Sequence, residues 1–113
     1  PDKRVLNMPD NLTISPQGGI ILCEDCGTTT IESSEGIERF HPRLQALSPE
    51  GEIFPLGFNN VVIEEKTMGI QGDFRGSEWT GVNFSPDGKW LFVNIQSPGF
   101  TAAITGPWGK GFL

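Results

Sequence analysis

The sequence predicts an all-β protein built of antiparallel sheets, and three observations carry that prediction. No segment shows the apolar period of about 3.6 residues that marks an amphipathic helix. Short apolar runs alternate with turn sequences, and Gly and Pro are abundant, at 15 and 9 of the 113 residues. The turn sequence Ser-Pro-x-Gly occurs three times, at 15–18, 48–51 and 85–88. Proline presets the φ angle that a type I turn needs, and glycine suits its last position.

Four strands are predicted in the first half of the chain. Apolar alternation and the first two turns place them at 11–15, 19–23, 43–47 and 52–58. The polar segment 24–42, which lies between the second and third of these strands, carries several glutamates and short Thr and Ser runs. It is long for a connection in a compact domain, so we expect it to be either functional or mobile.

Three strands are predicted in the second half of the chain. Residues 76–96 form a tight hairpin around the turn at 85–88, and a third strand runs from Thr101 to Trp108. The segment 61–77 before this hairpin is a second connection, which contains one candidate strand at 61–64.

An internal repeat relates the two halves. A shift of 70 residues superposes the first hairpin on the last, and apolar positions then match apolar positions nearly throughout, as for Leu12 on Val82 and Ile14 on Phe84. Four-stranded antiparallel units in tandem are typical of β-propeller blades, each of which needs neighbours to bury its faces. The fold class predicted is therefore a partial β-propeller of about two blades, the first at 1–60 with four strands and the second at 61–113 with three.

Two blades cannot close a ring, and they would leave strand edges unpaired. The chain is therefore expected to be either the end of a longer propeller or a protomer that completes its ring by assembly. A seven-stranded sandwich is the structural alternative.

Charge and hydropathy exclude some classes of partner. The formal net charge is −6, and the Lys and Arg residues are scattered, so no basic stripe predicts binding to nucleic acid or to an anionic membrane. No apolar run approaches the length of about 18 residues that a membrane span needs, and no signal segment begins this chain. The chain starts at Pro1 rather than at Met, which suggests a processed product or a piece of a longer protein.

The two cysteines, Cys23 and Cys26, form a Cys-x-x-Cys sequence. They end an apolar strand pattern rather than begin a helix, where a redox pair usually lies, so we interpret them as structural thiols. A disulfide or redox pair is the first alternative. A zinc site is the second, and it would need further ligands, of which His41 is the one other soft candidate.

Oxygen-bearing side chains are predicted to collect at one rim of the sheets. In each hairpin, the start of the first strand and the end of the second strand lie together at the rim opposite the Ser-Pro-x-Gly turn. The residues at these strand ends are Asp10, Asn11, Glu24, Asp25, Glu78, Asn94 and Gln96. Carboxylate and amide oxygens are the ligands of hard cations such as Ca²⁺, although the same residues are common at strand ends for reasons of turn chemistry. Arg75, near Glu78, is a candidate for binding a phosphate oxygen or an ordinary solvated arginine.

Several stretches together resemble the C-terminal part of PhoX-type alkaline phosphatases. They are the first hairpin with the Glu24-Asp25 pair, the sequence Gly-Ser-Glu-Trp-Thr-Gly at 76–81, Phe-Ser-Pro-Asp-Gly at 84–88, Leu-Phe-Val-Asn-Ile-Gln at 91–96, Pro-Gly at 98–99 and Ile-Thr-Gly-Pro-Trp at 104–108. The resemblance implies a six-bladed propeller, exported to the periplasm or secreted, that hydrolyses phosphate monoesters with Ca²⁺ and Fe. Carried over to this chain, it implies that Glu24 and Glu78 are metal ligands, with Asp25 a weaker candidate.

The expected function is thus that of the C-terminal portion of a metal-dependent phosphatase, whose remaining blades are its partners and whose substrate is a phosphate ester. Two or three of the ligands alone should not support catalysis, so this chain by itself is expected to be inactive. The alternative is a non-catalytic propeller-type module for binding or assembly that completes its ring as a homo-oligomer, for example as a trimer of two-blade protomers.

Overall fold

The computed structural model describes residues 5–113, and these form an all-β structure. The eleven strands and one short 3-10 helix are β1 (Pro9–Ile14), β2 (Ile20–Glu24), β3 (Thr29–Ser33), β4 (Gly36–Phe40), β5 (Arg43–Leu47), β6 (Ile53–Phe58), β7 (Val62–Thr67), β8 (Ile70–Asp73), β9 (Trp79–Phe84), β10 (Trp90–Ile95), β11 (Phe100–Thr105) and η1 (Trp108–Lys110). In this part of the chain, no helix is long and apolar enough to cross a membrane.

Two antiparallel sheets make up the body of the molecule. The larger has four strands in the order β1-β2-β5-β6, and the smaller has three in the order β11-β10-β9. These are the four-stranded and three-stranded blades that the sequence predicts, so the all-β, blade-like fold class is confirmed. The division of the chain into units 1–60 and 61–113 stays a prediction.

Each Ser-Pro-x-Gly sequence forms the tight turn expected of it. The glycine N–H donates to the serine carbonyl at 3.0 Å in the first two turns and 2.8 Å in the third. The three turn glycines, Gly18, Gly51 and Gly88, have φ angles of 92°, 89° and 69°. Residues with a Cβ rarely adopt this conformation, which explains why glycine ends each turn.

The polar segment 24–42, which the sequence predicts as a long connection, is partly regular. It contains the hairpin β3–β4, in which Thr30 lies opposite Arg39 and Ser33 opposite Gly36. Its β-branched residues favour strands. Most of the hairpin's side chains are exposed on both faces, so it lacks the apolar alternation by which strands are recognised.

A second hairpin occupies the other connection. The candidate strand at 61–64 is the start of β7, and β8 returns from a two-residue turn at Met68 and Gly69, whose φ angles are 51° and 84°. Two successive positive φ angles are typical of the turn type that joins such hairpins.

The hydrophobic core lies between the two main sheets. Alternate residues of a strand face opposite sides of a sheet, so Ile21 and Cys23 of β2 face the partner sheet, as do Leu91 and Val93 of β10; all four are 0% exposed. The opposite faces of the two sheets carry exposed apolar side chains. Leu12 and Ile14 are 59% and 68% exposed on one, and Trp90 and Phe92 are 43% and 41% exposed on the other.

The first strands of the two units, β1 and β9, lie side by side in matching register. The Gly81 N–H donates to Asn11 Oδ1 at 3.1 Å, and the Thr13 hydroxyl donates to Asn83 Oδ1 at 3.5 Å. Both pairs join positions 70 residues apart, which are the equivalent positions of the internal repeat. Neighbouring blades related by a rotation bring equivalent positions together in this way, so the contact favours adjoining blades over a sandwich.

The C-terminal segment fastens the second unit onto the first. The Phe112 carbonyl accepts hydrogen bonds from the Gly19 N–H at 2.9 Å and the Ser15 hydroxyl at 3.0 Å. The Phe112 ring also packs edge to face against Phe54, with 5.3 Å between ring centroids.

Candidate metal centre

Three carboxylates from both sheets converge at the rim opposite the turns. Asp10 is the second residue of β1, Asp25 directly follows β2, and Glu78 directly precedes β9. One carboxylate oxygen from each of the three residues lies within 4.8 Å of the others. They meet because β1 begins where β2 ends, and because β9 begins beside β1. This is the rim at which the sequence predicts oxygen ligands.

The electrostatics of this cluster favour a positively charged ligand. A hydrogen bond with the Asp25 side chain, partial burial and the negative charges of Asp25 and Asp10 raise the pKa of Glu78 to about 7. Within residues 5–113, no Lys or Arg forms an ion pair with any of the three carboxylates. A cation held between the three would relieve their mutual repulsion.

Neighbouring groups hold the Glu78 side chain in place. The Gln96 side-chain amide donates to Glu78 Oε1 at 2.5 Å, and the Gln96 backbone N–H donates to the Glu78 carbonyl at 3.1 Å. The Ser97 N–H donates to the Ser77 hydroxyl at 2.8 Å, which ties the end of β10 to the residue before Glu78. Asp25, Glu78 and Gln96 line one open cleft of about 350 Å³. We call it the acidic cleft.

The donor set fits a hard cation. Three carboxylates supply part of the six to eight oxygens that Ca²⁺ takes, and an open cleft leaves room for water, a phosphate oxygen or further protein ligands. Iron also accepts carboxylate oxygen, so the cluster does not by itself choose between the two metals.

The structure does not bring Glu24 into this cluster. The Glu24 carboxylate is 0% exposed and forms a two-pronged ion pair with Arg43, whose Nε and Nη2 donate at 2.9 and 2.8 Å. Its oxygens also accept from the backbone N–H groups of Asn7 and Arg43, each at 2.9 Å, and from the Gln45 amide at 3.3 Å. The assignment of Glu24 as a metal ligand stays a prediction, whereas its contacts are those of a structural ion pair.

The sequence predicts Asp10 at the rim but does not mark it as a metal ligand. An aspartate at a strand start is ordinary turn chemistry, and only the meeting of β1 with β9 brings it to Glu78. The buried partner of Glu24 was also missed. A signal existed, because Arg43 and Gln45 are polar residues at alternate positions of a strand whose other positions are apolar, on the same sheet face as Glu24.

The two asparagines of the rim make structural links rather than join the cluster. Asn11 accepts from Gly81, as described above. The Asn94 side chain donates to the Thr80 carbonyl at 3.3 Å and accepts from the Thr101 hydroxyl at 2.6 Å. Both therefore connect strands.

The cysteines are free thiols, as the structural interpretation predicts. Cys23 is fully buried in the core, and burial raises its pKa to about 12. Burial also raises the pKa of the Cys26 thiol, which donates to the Gly27 carbonyl at 3.3 Å. A raised pKa opposes thiolate formation and therefore redox or metal chemistry.

Comparison with known proteins yields one family. The model of the family described as alkaline phosphatase PhoX matches residues 1–99, which include Asp10, Asp25 and Glu78 and all of the four-stranded sheet. No curated protein and no solved structure matches the chain.

Proposed function

This chain belongs to the PhoX alkaline phosphatase family, and from that premise we propose that it is the C-terminal portion of a metal-dependent phosphatase that hydrolyses phosphate monoesters. The observation that carries the proposal is the convergence of the Asp10, Asp25 and Glu78 carboxylates within 4.8 Å of one another, inside the matched region and beside the acidic cleft that Asp25 and Glu78 line. We propose these three residues as ligands of a Ca²⁺ or Fe site that the remaining blades complete.

The carboxylates of this chain have a defined role in such a site. Asp25 and Glu78 come from different sheets, so a shared cation would bind only when the two sheets are correctly packed. Gln96 restrains the Glu78 side chain and so reduces the ordering that metal binding requires. A cation bound there would polarise a phosphoryl oxygen and stabilise the negative charge that develops during hydrolysis.

The cellular setting proposed is the periplasm or the extracellular space. This follows from the family resemblance and agrees with a Ca²⁺ site, because extracellular modules bind Ca²⁺ from a more abundant supply than cytosolic proteins do.

The test is a variant of one ligand in the full protein that carries this chain. Glu78→Gln removes one negative charge at nearly constant shape, and we expect it to lower both the bound metal, measured by plasma mass spectrometry, and the hydrolysis of a simple aryl phosphate. Glu50→Gln is the matched control, because Glu50 is an exposed residue of a turn at the opposite rim. Full metal content and full activity in Glu78→Gln would refute the proposal.

A second candidate function rests on exposed apolar residues on the outer faces of the two sheets. Leu12 and Ile14 on one sheet and Trp90 and Phe92 on the other are exposed. We propose that further blades cover these faces, either from the same polypeptide or from other copies of the chain. In the second case the protein is a non-catalytic module that forms a ring as a homo-oligomer. Light scattering of the chain decides this, since a monomer at micromolar concentration would exclude self-assembly.

A further inference from the structure

A second cleft adjoins the acidic cleft and has the opposite charge. It has a volume of about 440 Å³ and is lined by Thr28, Thr30, Arg39, His41, Asp73, Arg75 and Gly76. Asp73 and Gly76 line both clefts, so the two are continuous along the rim. We call the second one the basic cleft.

The two hairpins inserted between the main strands build the basic cleft. Arg39 of β4 lies opposite Thr30 of β3, so both side chains share one face of that hairpin. At the base of the hairpin, a hydrogen bond of 3.1 Å joins Thr28 Oγ1 and His41 Nδ1.

The opposite wall is the loop that leaves β8. A Cβ on Gly76 would lie 2.6 Å from the Thr28 hydroxyl oxygen, which shows that this loop lies directly against the base of the β3–β4 hairpin. Arg75 of this loop and Arg39 of β4 line the same cleft.

The charges in the basic cleft do not cancel. The one acidic group, Asp73, accepts from Arg75 Nε at 2.9 Å and from Arg75 Nη2 at 2.6 Å, and this pairing lowers the pKa of Asp73 to about 2. Arg39 forms no ion pair with any residue of the described range 5–113. The lining therefore holds two guanidinium groups, a histidine and two hydroxyl groups against one aspartate, in a chain of net charge −6.

We propose that the basic cleft binds a second anionic group on the alcohol portion of the phosphate ester, while the acidic cleft and its cation hold the phosphate that reacts. This inference rests on the proposed function, and it names the preferred substrates: phosphate monoesters whose leaving group carries a further phosphate. Guanidinium groups match phosphate geometry because they donate two parallel hydrogen bonds, and threonine hydroxyls add further donors.

Direct binding tests the cleft without requiring catalysis. Inorganic phosphate is titrated calorimetrically into the full protein after metal removal with a chelator, so that the acidic cleft has no cation to attract the anion. We expect saturable binding that Arg39→Gln weakens by about tenfold, the effect of losing one charge-assisted hydrogen bond. Lys89→Gln is the matched control, because it removes the same charge from the opposite rim. Absence of binding, or equal binding in all three proteins, would overturn the inference.

Kinetics with a matched pair of substrates separates this inference from the proposed function. Glucose 1,6-bisphosphate and glucose 6-phosphate differ by one phosphate group. We expect Arg39→Gln to raise KM for the bisphosphate about tenfold with little change in kcat, and to leave the monophosphate within about twofold.

The outcomes of this experiment are distinct. If both substrates are hydrolysed and Arg39→Gln changes their KM values equally or not at all, the proposed subsite is refuted. The proposed phosphatase function is not affected by that result. A wild-type protein that hydrolyses neither would overturn the proposed function, and calorimetry would still decide whether the basic cleft binds phosphate.

Discussion

At the scale of single residues, the structure separates two neighbouring carboxylates into different environments. Glu24 and Asp25 are adjacent in sequence, yet Glu24 is 0% exposed and paired with Arg43, whereas Asp25 is exposed at the acidic cleft. Successive side chains at the end of a strand point to opposite sides, which is the physical cause of the difference. One carboxylate is therefore positioned to stabilise the sheet and the other to meet a ligand.

Glu24→Gln is expected to lower the free energy of unfolding by about 3 kcal/mol, because it breaks the buried two-pronged ion pair between Glu24 and Arg43. Urea unfolding in the presence of a chelator measures this without any contribution from bound metal. Glu65→Gln, at an exposed position of β7, should change the same quantity by less than about 0.5 kcal/mol. If Glu24 acts instead as a metal ligand, its substitution would reduce metal content and leave the chelated protein as stable as the wild type.

Cys23 is expected to resist alkylation in the folded protein. Its thiol is 0% exposed, and burial raises its pKa to about 12, so almost no thiolate exists at pH 8. Mass spectrometry after iodoacetamide treatment should find Cys23 unmodified in the native protein and modified in urea. Rapid native labelling of Cys23 would contradict the buried-core assignment.

At the scale of elements, the contact between β1 and β9 determines where the two units meet. Gly81 lies at this contact with a φ angle of 61°, its N–H donates to Asn11, and a Cβ there would collide with Asn94 Nδ2. The site thus needs glycine both for its backbone conformation and for space.

Gly81→Ala is expected to destabilise the protein by about 1–3 kcal/mol, from the strained φ angle and displacement of Asn94. Gly109→Ala is the control, because a Cβ at Gly109 meets nothing within 4 Å and its φ angle is not positive. Thermal unfolding of both variants measures the difference. Equal melting temperatures for the two would show that β9 tolerates a side chain at this contact.

At the scale of the whole molecule, the features that join the two sheets include the apolar core, the C-terminal segment at Phe112 and the carboxylate cluster. The apolar core and the C-terminal segment hold the two sheets together without any ligand. In the carboxylate cluster, Glu78 forms a hydrogen bond with Asp25 when it is protonated, and the carboxylates repel one another once Glu78 ionises, so metal binding and sheet packing should be thermodynamically linked.

Calcium is expected to raise Tm of the protein that carries this chain, and chelation to lower it. Free Ca²⁺ at a hundred times its Kd would add about 2.7 kcal/mol to the stability of the folded state. Scanning calorimetry with and without Ca²⁺ should show the shift in wild type and in Glu50→Gln, and a much smaller shift in Glu78→Gln. An identical shift in Glu78→Gln would place the stabilising cation elsewhere.

Much of the architecture follows from sequence alone. The Ser-Pro-x-Gly turns, the apolar runs beside them and the repeat of 70 residues determine the strands of both main sheets, since turn chemistry and strand periodicity act over a few residues at a time. They also determine that Asp25 and Glu78 lie at the rim opposite the turns.

The tertiary structure alone decided which polar side chains meet. Asp10 reaches Glu78 because β1 packs beside β9, Glu24 pairs with Arg43 of the neighbouring strand, and Arg39 and Arg75 line one cleft because the loop after β8 approaches the base of the β3–β4 hairpin. These partners are distant along the chain, and which of the polar side chains meet depends on how the strands pair and how the sheets pack, which no local pattern in the sequence specifies.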